Sequence, residues 1–215
     1  MNMLILAANG AIARLVEEKI LSDAKYKDVQ LTLFLRNKSR LSDLADNARV
    51  KLVEGDLSNA SDVNAAAAGQ DLVFIAFGAT SNLQMTQNVV NGMQANQVKR
   101  VVEINDLGIY DEVPGKFGAW NKQIIGAGIQ VGFQADALLE KSGLDYTTLR
   151  LPWLNNRDEV KYVLTEKGET FPGTSGSRKS IADVVLRIVA DPSFGSKASL
   201  GIADPATAGL DKPVY

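Results

Sequence analysis

Short, largely apolar runs separated by longer amphipathic stretches fill the first two-thirds of this sequence, and that rhythm restricts the fold more than any single residue. The runs at 3–7, 30–36, 50–54, 72–77, 100–104 and 146–151 are rich in Val, Ile, Leu and Phe, as strands buried on both faces of a parallel sheet must be. Between them, residues 11–21, 61–68, 82–95 and a segment within 119–141 carry helical spacing. Strand followed by helix, repeated, predicts an α/β chain with a doubly wound parallel sheet. Local chemistry supplies boundaries: Ser61 with Asp62 suits a helix start, Gly69 a helix end, and Asn96 a left-handed cap.

After Pro152 the rhythm loosens. A Gly/Ser-containing stretch at 168–177 precedes a helical pattern at 180–190 and a last short strand near 199–203. The 215 residues therefore read as one domain, 1–215, to which 152–215 contributes a small C-terminal lobe expected to face substrate.

Composition then narrows the chemistry. The sequence has no histidine and no cysteine, which excludes Ser-His-Asp and Cys-His triads and the thiolate and histidine-bearing zinc sites, so no metal site is expected. Absent cysteine also fits a reducing cytoplasm, the location expected here. With 23 basic against 25 acidic residues and no long basic run, nucleic acid is not an expected partner. The opening apolar run is short and breaks at Asn9-Gly10, so neither a secretion signal nor a membrane span is expected.

The first strand turns into its helix through Ala7-Ala8-Asn9-Gly10-Ala11-Ile12-Ala13. A helix amino terminus offers unpaired N–H groups and a positive dipole end to an anion, and small residues let a pyrophosphate approach the backbone. An ordinary small-residue turn would look the same. This segment resembles the atypical short-chain dehydrogenase/reductase superfamily, particularly its NAD(P)H-binding, NmrA-like members, whose turn is usually Gly-x-x-Gly-x-x-Gly/Ala. The resemblance implies a Rossmann-type sheet, and a dinucleotide held by Ala7, Asn9, Gly10, Ala11 and Ile12. Ala7 departs from that pattern. Its methyl group narrows the approach to the phosphates, or strains the turn by about 1 kcal/mol where φ must be positive.

The second strand ends Arg36-Asn37-Lys38-Ser39-Arg40. A NAD-specific site places a carboxylate there for the ribose hydroxyls, whereas a guanidinium pairs with the 2′-phosphate of NADP. Arg36, with Asn37, Lys38 and Arg40 beside it, thus favours NADP(H); the other reading is a set of solvated strand-end cations. Next, Gly55-Asp56-Leu57 resembles the family's element at the adenine, where Asp56 accepts from the exocyclic amine and Leu57 covers the ring. Asp56 is equally suited to be a turn residue. Phe77, Gly78 and Ala79 match the small-residue exit of the fourth strand beside the cofactor. By the same resemblance Asn105 lies at the cofactor and acceptor, and Tyr110 belongs to a loop over the nicotinamide. Trp153, after the Arg-x-Pro of 150–152, either walls the acceptor pocket or anchors the small lobe. The segment 177–184 resembles the opening of the family's late helix.

The Tyr-x-x-x-Lys pair of complete short-chain dehydrogenases is missing. Four residues beyond Tyr26, Tyr110, Tyr146 and Tyr162 stand Gln30, Pro114, Arg150 and Glu166, and Tyr215 is the last residue. Alcohol oxidation, epimerisation and dehydration need such an acid/base pair, while hydride delivery to a quinone or flavin needs mainly alignment. The sequence therefore points to an NADP(H)-dependent oxidoreductase acting on a small planar acceptor or carbonyl, with no side chain assigned as catalytic. The alternative is a non-enzymatic NADP(H) sensor that presents its loops to a protein partner.

Overall fold

The computed structural model describes residues 1–78 and 82–215. In chain order the elements are β1 (Asn2–Leu6), α1 (Ala11–Ser22), β2 (Gln30–Leu35), β3 (Val50–Glu54), α2 (Ala60–Ala67), β4 (Leu72–Ile75), α3 (Leu83–Ala95) and β5 (Arg100–Asp106). They continue with α4 (Gly115–Ile125), α5 (Gly128–Lys141), β6 (Asp145–Leu151), β7 (Trp153–Asn155), β8 (Val163–Thr165), β9 (Ser175–Ser177), α6 (Arg178–Ala190) and β10 (Ala198–Ala203).

Eight strands form one sheet in the order β3-β2-β1-β4-β5-β6-β10-β8, parallel except for β8, which runs antiparallel at the edge. Alternate strand residues serve opposite faces. Ile5, Leu33, Phe74, Val102 and Leu149 pack under α1 and α6, while Leu4, Leu6, Val73, Ile75 and Val101 pack under α2, α3 and α5. Helices on both faces bury every central strand twice, which is why β1, β2 and β4 read as nearly continuous apolar runs. The order reverses between β1 and β4, and such a switch point opens a crevice at the carboxyl ends of the strands.

The chain after Pro152 divides its elements. Helix α6 packs on α1 and β10 pairs with β6, so both extend the main layers, while β7 and β9 form a separate two-stranded sheet. Strands β7, β8 and β9 were not anticipated, because three-residue strands leave no period to detect.

Three boundary expectations need correction. The cap of α2 is Asn59, whose side chain accepts from the Ser61 N–H, so Ser61 and Asp62 already lie in the first turn. Asn96 has φ −97° and donates its amide to the Gly92 carbonyl at 2.8 Å; the left-handed residue is Gln97, at φ 59°. The segment within 119–141 is two helices, broken where Gly126 takes φ 58°. Helix α4 starts earlier than its pattern suggested and lies close to the preceding loop: a Cβ on Gly118 would fall 1.9 Å from the Val113 carbonyl oxygen.

Candidate functional site

A cavity of about 650 Å³ opens at the switch point, lined by the ends of β1, β2, β3 and β4 and by the first turn of α3. Ala7 leaves β1 at φ 60°, in the left-handed region, and the Gly10 N–H closes the turn on the Ala7 carbonyl at 3.0 Å. The turn thus requires the conformation that glycine adopts freely and that costs alanine about 1 kcal/mol. Gly10 caps α1 without a side-chain acceptor, so the first N–H groups of the helix are left for an anion. A Cβ on Gly10 would sit 3.3 Å from the Ala7 carbonyl oxygen and 3.4 Å from that of Ala76, which fixes the residue as small.

Ala7, Asn9 and Gly10 line this cavity, with Arg36, Asn37, Arg40, Asp56, Leu57 and Phe77. Arg36 and Arg40 are exposed at its mouth, and no carboxylate follows directly on β2. Asn37 also caps the next turn, accepting from the Ser39 N–H at 3.0 Å. Asp56 lines the cavity while its Oδ1 accepts from the Ser58 N–H and hydroxyl, bonds that hold its carboxyl below the usual range, with Arg36 adding a smaller pull. Leu57 is pinned through its carbonyl, which accepts from Asn88 at 2.9 Å.

Other expected contacts lie elsewhere. Ala11 and Ile12 are not among the lining residues; Ile12 is turned into the core beneath α1 because it falls on the buried helix face. Lys38 does not line the cavity, and its N–H donates to Glu54 at 3.1 Å. Gly78 is exposed and outside the lining, and Ala79 lies outside the described residues.

The three acceptor-pocket expectations are also redirected. Asn105 is fully buried; it donates to the Gly132 carbonyl at 2.9 Å and accepts from the Asp106 N–H, tying β5 to α5. Tyr110 folds back under α5, donates a short hydrogen bond to Asp136, and lies against Arg150 and Lys167. Burial, followed by that bond, pushes its phenol far above the usual range, so it is no acid at neutral pH. Trp153 donates to Asn121 at 2.9 Å and packs 4.9 Å from Trp120, in a small apolar cluster with Phe117. Sequence reasoning missed Phe34, Leu35, Ala76 and Met85 as lining residues, and gave Gly55 only within the Gly55-Asp56-Leu57 element. A Cβ on Gly55 would meet the Phe34 ring at 2.5 Å, which keeps that residue small.

Behind the cavity stands a buried polar group that nothing in the motifs announced. Glu103 accepts from Thr86 at 2.9 Å and is fully buried, which raises its carboxyl to about 8 against the pull of that hydrogen bond, with Asp136 adding to the rise. Arg150, equally buried, bonds Glu112 at 2.9 Å. Among the described residues no cluster fits a metal ion, and no helix is long and apolar enough to cross a membrane.

Comparison with known proteins bears on this site. In solved structures, a short-chain dehydrogenase/reductase from Veillonella parvula in complex with NADP shares 29% identity at a TM-score of 0.91, covering 100% of this chain and 99% of its own. A Rossmann-fold NAD(P)-binding family protein from Shigella flexneri shares 31% identity at a TM-score of 0.83, covering 100% of this chain and 98% of its own. An anaerobilin reductase from Escherichia coli O157:H7, at 20% identity and a TM-score of 0.79 over 100% of both chains, shares the fold. No curated protein matches the sequence. The NAD(P)H-binding family matches residues 7–192, and with the crevice and its cradle in place the chain belongs to that family.

Proposed function

We propose that the protein is an NADP(H)-dependent oxidoreductase that passes hydride to a small planar acceptor, a quinone or flavin, or to a carbonyl. The observation that carries the cofactor choice is the pair of guanidiniums, Arg36 and Arg40, at the mouth of the cavity where a NAD-specific site needs a carboxylate. The NADP held by the similar Veillonella protein supports the same choice.

The residues present fit a dinucleotide. Gly10 and the uncapped start of α1 would hold phosphate, Arg36 and Arg40 would pair with the 2′-phosphate, and Leu57 with Phe77 would offer apolar faces to a ring. When bound, the nicotinamide supplies the hydride. The protein's own part is alignment and exclusion of water, since the sequence has no Tyr-x-x-x-Lys pair and the Tyr110 hydroxyl keeps its proton, donating it in a hydrogen bond to Asp136. That same lack favours a second reading, an NADP(H)-binding sensor without turnover.

Titration with NADPH, NADP⁺, NADH and NAD⁺, followed by NADPH oxidation over a panel of quinones and flavins, separates the two readings. Tight binding with turnover is the expected result, and binding without turnover favours the sensor. Arg36→Glu should weaken NADPH binding between about tenfold and a hundredfold, the worth of one charge-assisted contact, and NADH binding by less than about threefold. Equal losses for both would remove Arg36 from its role.

A further inference from the structure

The face of the sheet under α2, α3 and α5 is apolar on β1 and β4 but is crossed by a polar row on β5, β6 and β10, where Glu103, Thr148 and Ser199 stand side by side in register. All three are buried. Asp136 from α5 and Tyr110 from the loop after β5 close over them. Glu103 Oε2, Asp136 Oδ1, Thr148 Oγ1 and Arg150 Nε have no protein partner among the described residues. For Glu103, burial with an unpartnered oxygen favours the neutral form.

Glu103 also stands directly behind the wall of the cavity. It pairs in register with Ile75, after which the chain runs into the cavity-lining Ala76 and Phe77. Its bonded partner Thr86 follows Met85, another lining residue, on α3. Two residues farther on, Asn88 holds the carbonyl of Leu57. The first turns of α3 are therefore fastened to Glu103 on one side and to the proposed adenine loop on the other.

We propose that Glu103 is a positioning residue of the dinucleotide site, fastening the first turns of α3 through Thr86, and that its carboxyl is more fully protonated once the cofactor's phosphates lie across the wall, so that cofactor binding takes up a proton. The inference rests on the dinucleotide reading above. An ionised Glu103 opposes a polyanion across one wall, whereas the neutral acid keeps its bond from Thr86 at no electrostatic cost. Charged and titratable groups facing it are few. Helix α3, β4 and β10 contribute none; α5 brings Asp136 and Glu140, β6 brings Arg150 and Tyr146, the loop after β5 brings Tyr110 and Glu112, and the segment after β8 brings Lys167, over the Tyr110 ring and paired with Glu140. The cations lining the cavity are arginines, which do not titrate, and a phosphate monoester completes its ionisation near pH 6, below the window concerned.

The test is calorimetric titration of the full chain with NADPH and with NADP⁺ between about pH 7 and 9.5, in paired buffers of different ionisation enthalpy. Wild type should take up a fraction of a proton near pH 8, and its Kd should rise about three- to tenfold across the range. Glu103→Gln, which keeps an acceptor for Thr86 but cannot titrate, should bind with a flat pH profile and no uptake. Buffer-independent heats in wild type, a measurement that needs no variant, would overturn the inference, as would a Glu103→Gln profile that follows wild type. If no dinucleotide binds wild type at any pH, the cofactor reading itself falls and takes this inference with it.

Discussion

Substituting Glu103 by Gln should stabilise the ligand-free protein, and by an amount that grows with pH. In the folded chain burial lifts this carboxyl from its ordinary 4.5 to about 8. The native state therefore holds the proton more tightly than the unfolded chain does. The contribution of Glu103 to stability is fully present below about pH 4.5, erodes as pH rises through the window up to about 8, and is lost above it. Each tenfold difference in proton affinity is worth about 1.4 kcal/mol, so the penalty amounts to about 3 kcal/mol at pH 7 and nears about 5 kcal/mol above pH 8. Gln at the same place is neutral at every pH and can accept from Thr86. Urea unfolding of both proteins at pH 5, 7 and 9 measures the difference. The variant should gain under about 1 kcal/mol at pH 5 and several at pH 9. Glu17, raised to about 7 by burial against the pull of Arg14, adds its own slope, but to both curves alike. An equal stability difference at pH 5 and pH 9 would refute the reasoning.

Further substitutions probe other parts of the argument. Ala7→Gly relieves the φ of 60°, partly offset by the greater freedom of glycine in the unfolded chain; we expect a gain of up to about 1 kcal/mol in thermal unfolding, and a loss would show that the Ala7 methyl packs favourably. Gly118→Ala drives a methyl into the Val113 carbonyl and should cost about 3 kcal/mol or more in denaturant unfolding. Tyr110→Phe removes a donor from the buried Asp136 and should cost about 1–3 kcal/mol while leaving NADPH affinity unchanged; a loss of affinity without a loss of stability would return Tyr110 to the binding site.

Much of the fold was legible because burial on two faces writes itself into composition. The runs around Leu4, Leu33 and Val73 are apolar on nearly every residue, whichever way the side chains point. The cradle was legible too, since Gly10 and Ala7 mark a turn that only small residues enter, and Arg36 follows directly on a strand whose end had to reach the same edge. Position along the chain was a weaker guide beyond β5. Asn105, Tyr110 and Trp153 all lie near that edge of the sheet, yet Asn105 and Tyr110 turn inward and Trp153 joins the cluster with Trp120. Whether a polar side chain on a loop faces a crevice or a helix depends on distant partners, here Gly132, Asp136 and Asn121, and no local period encodes them.

The sequence by itself determined the alternation of strand and helix, the small-residue turn at Gly10, the cationic end of β2 and the lack of histidine, cysteine and a Tyr-x-x-x-Lys pair. Only the tertiary structure decided that Glu103, Thr148 and Ser199 share one row, that Asp136 closes over it, and that Thr86 links it to the cavity wall. A strand's own period says which residues share a face, but the neighbours that give a buried carboxyl its charge or its proton arrive from far along the chain, through the register of the sheet and the packing of helices upon it.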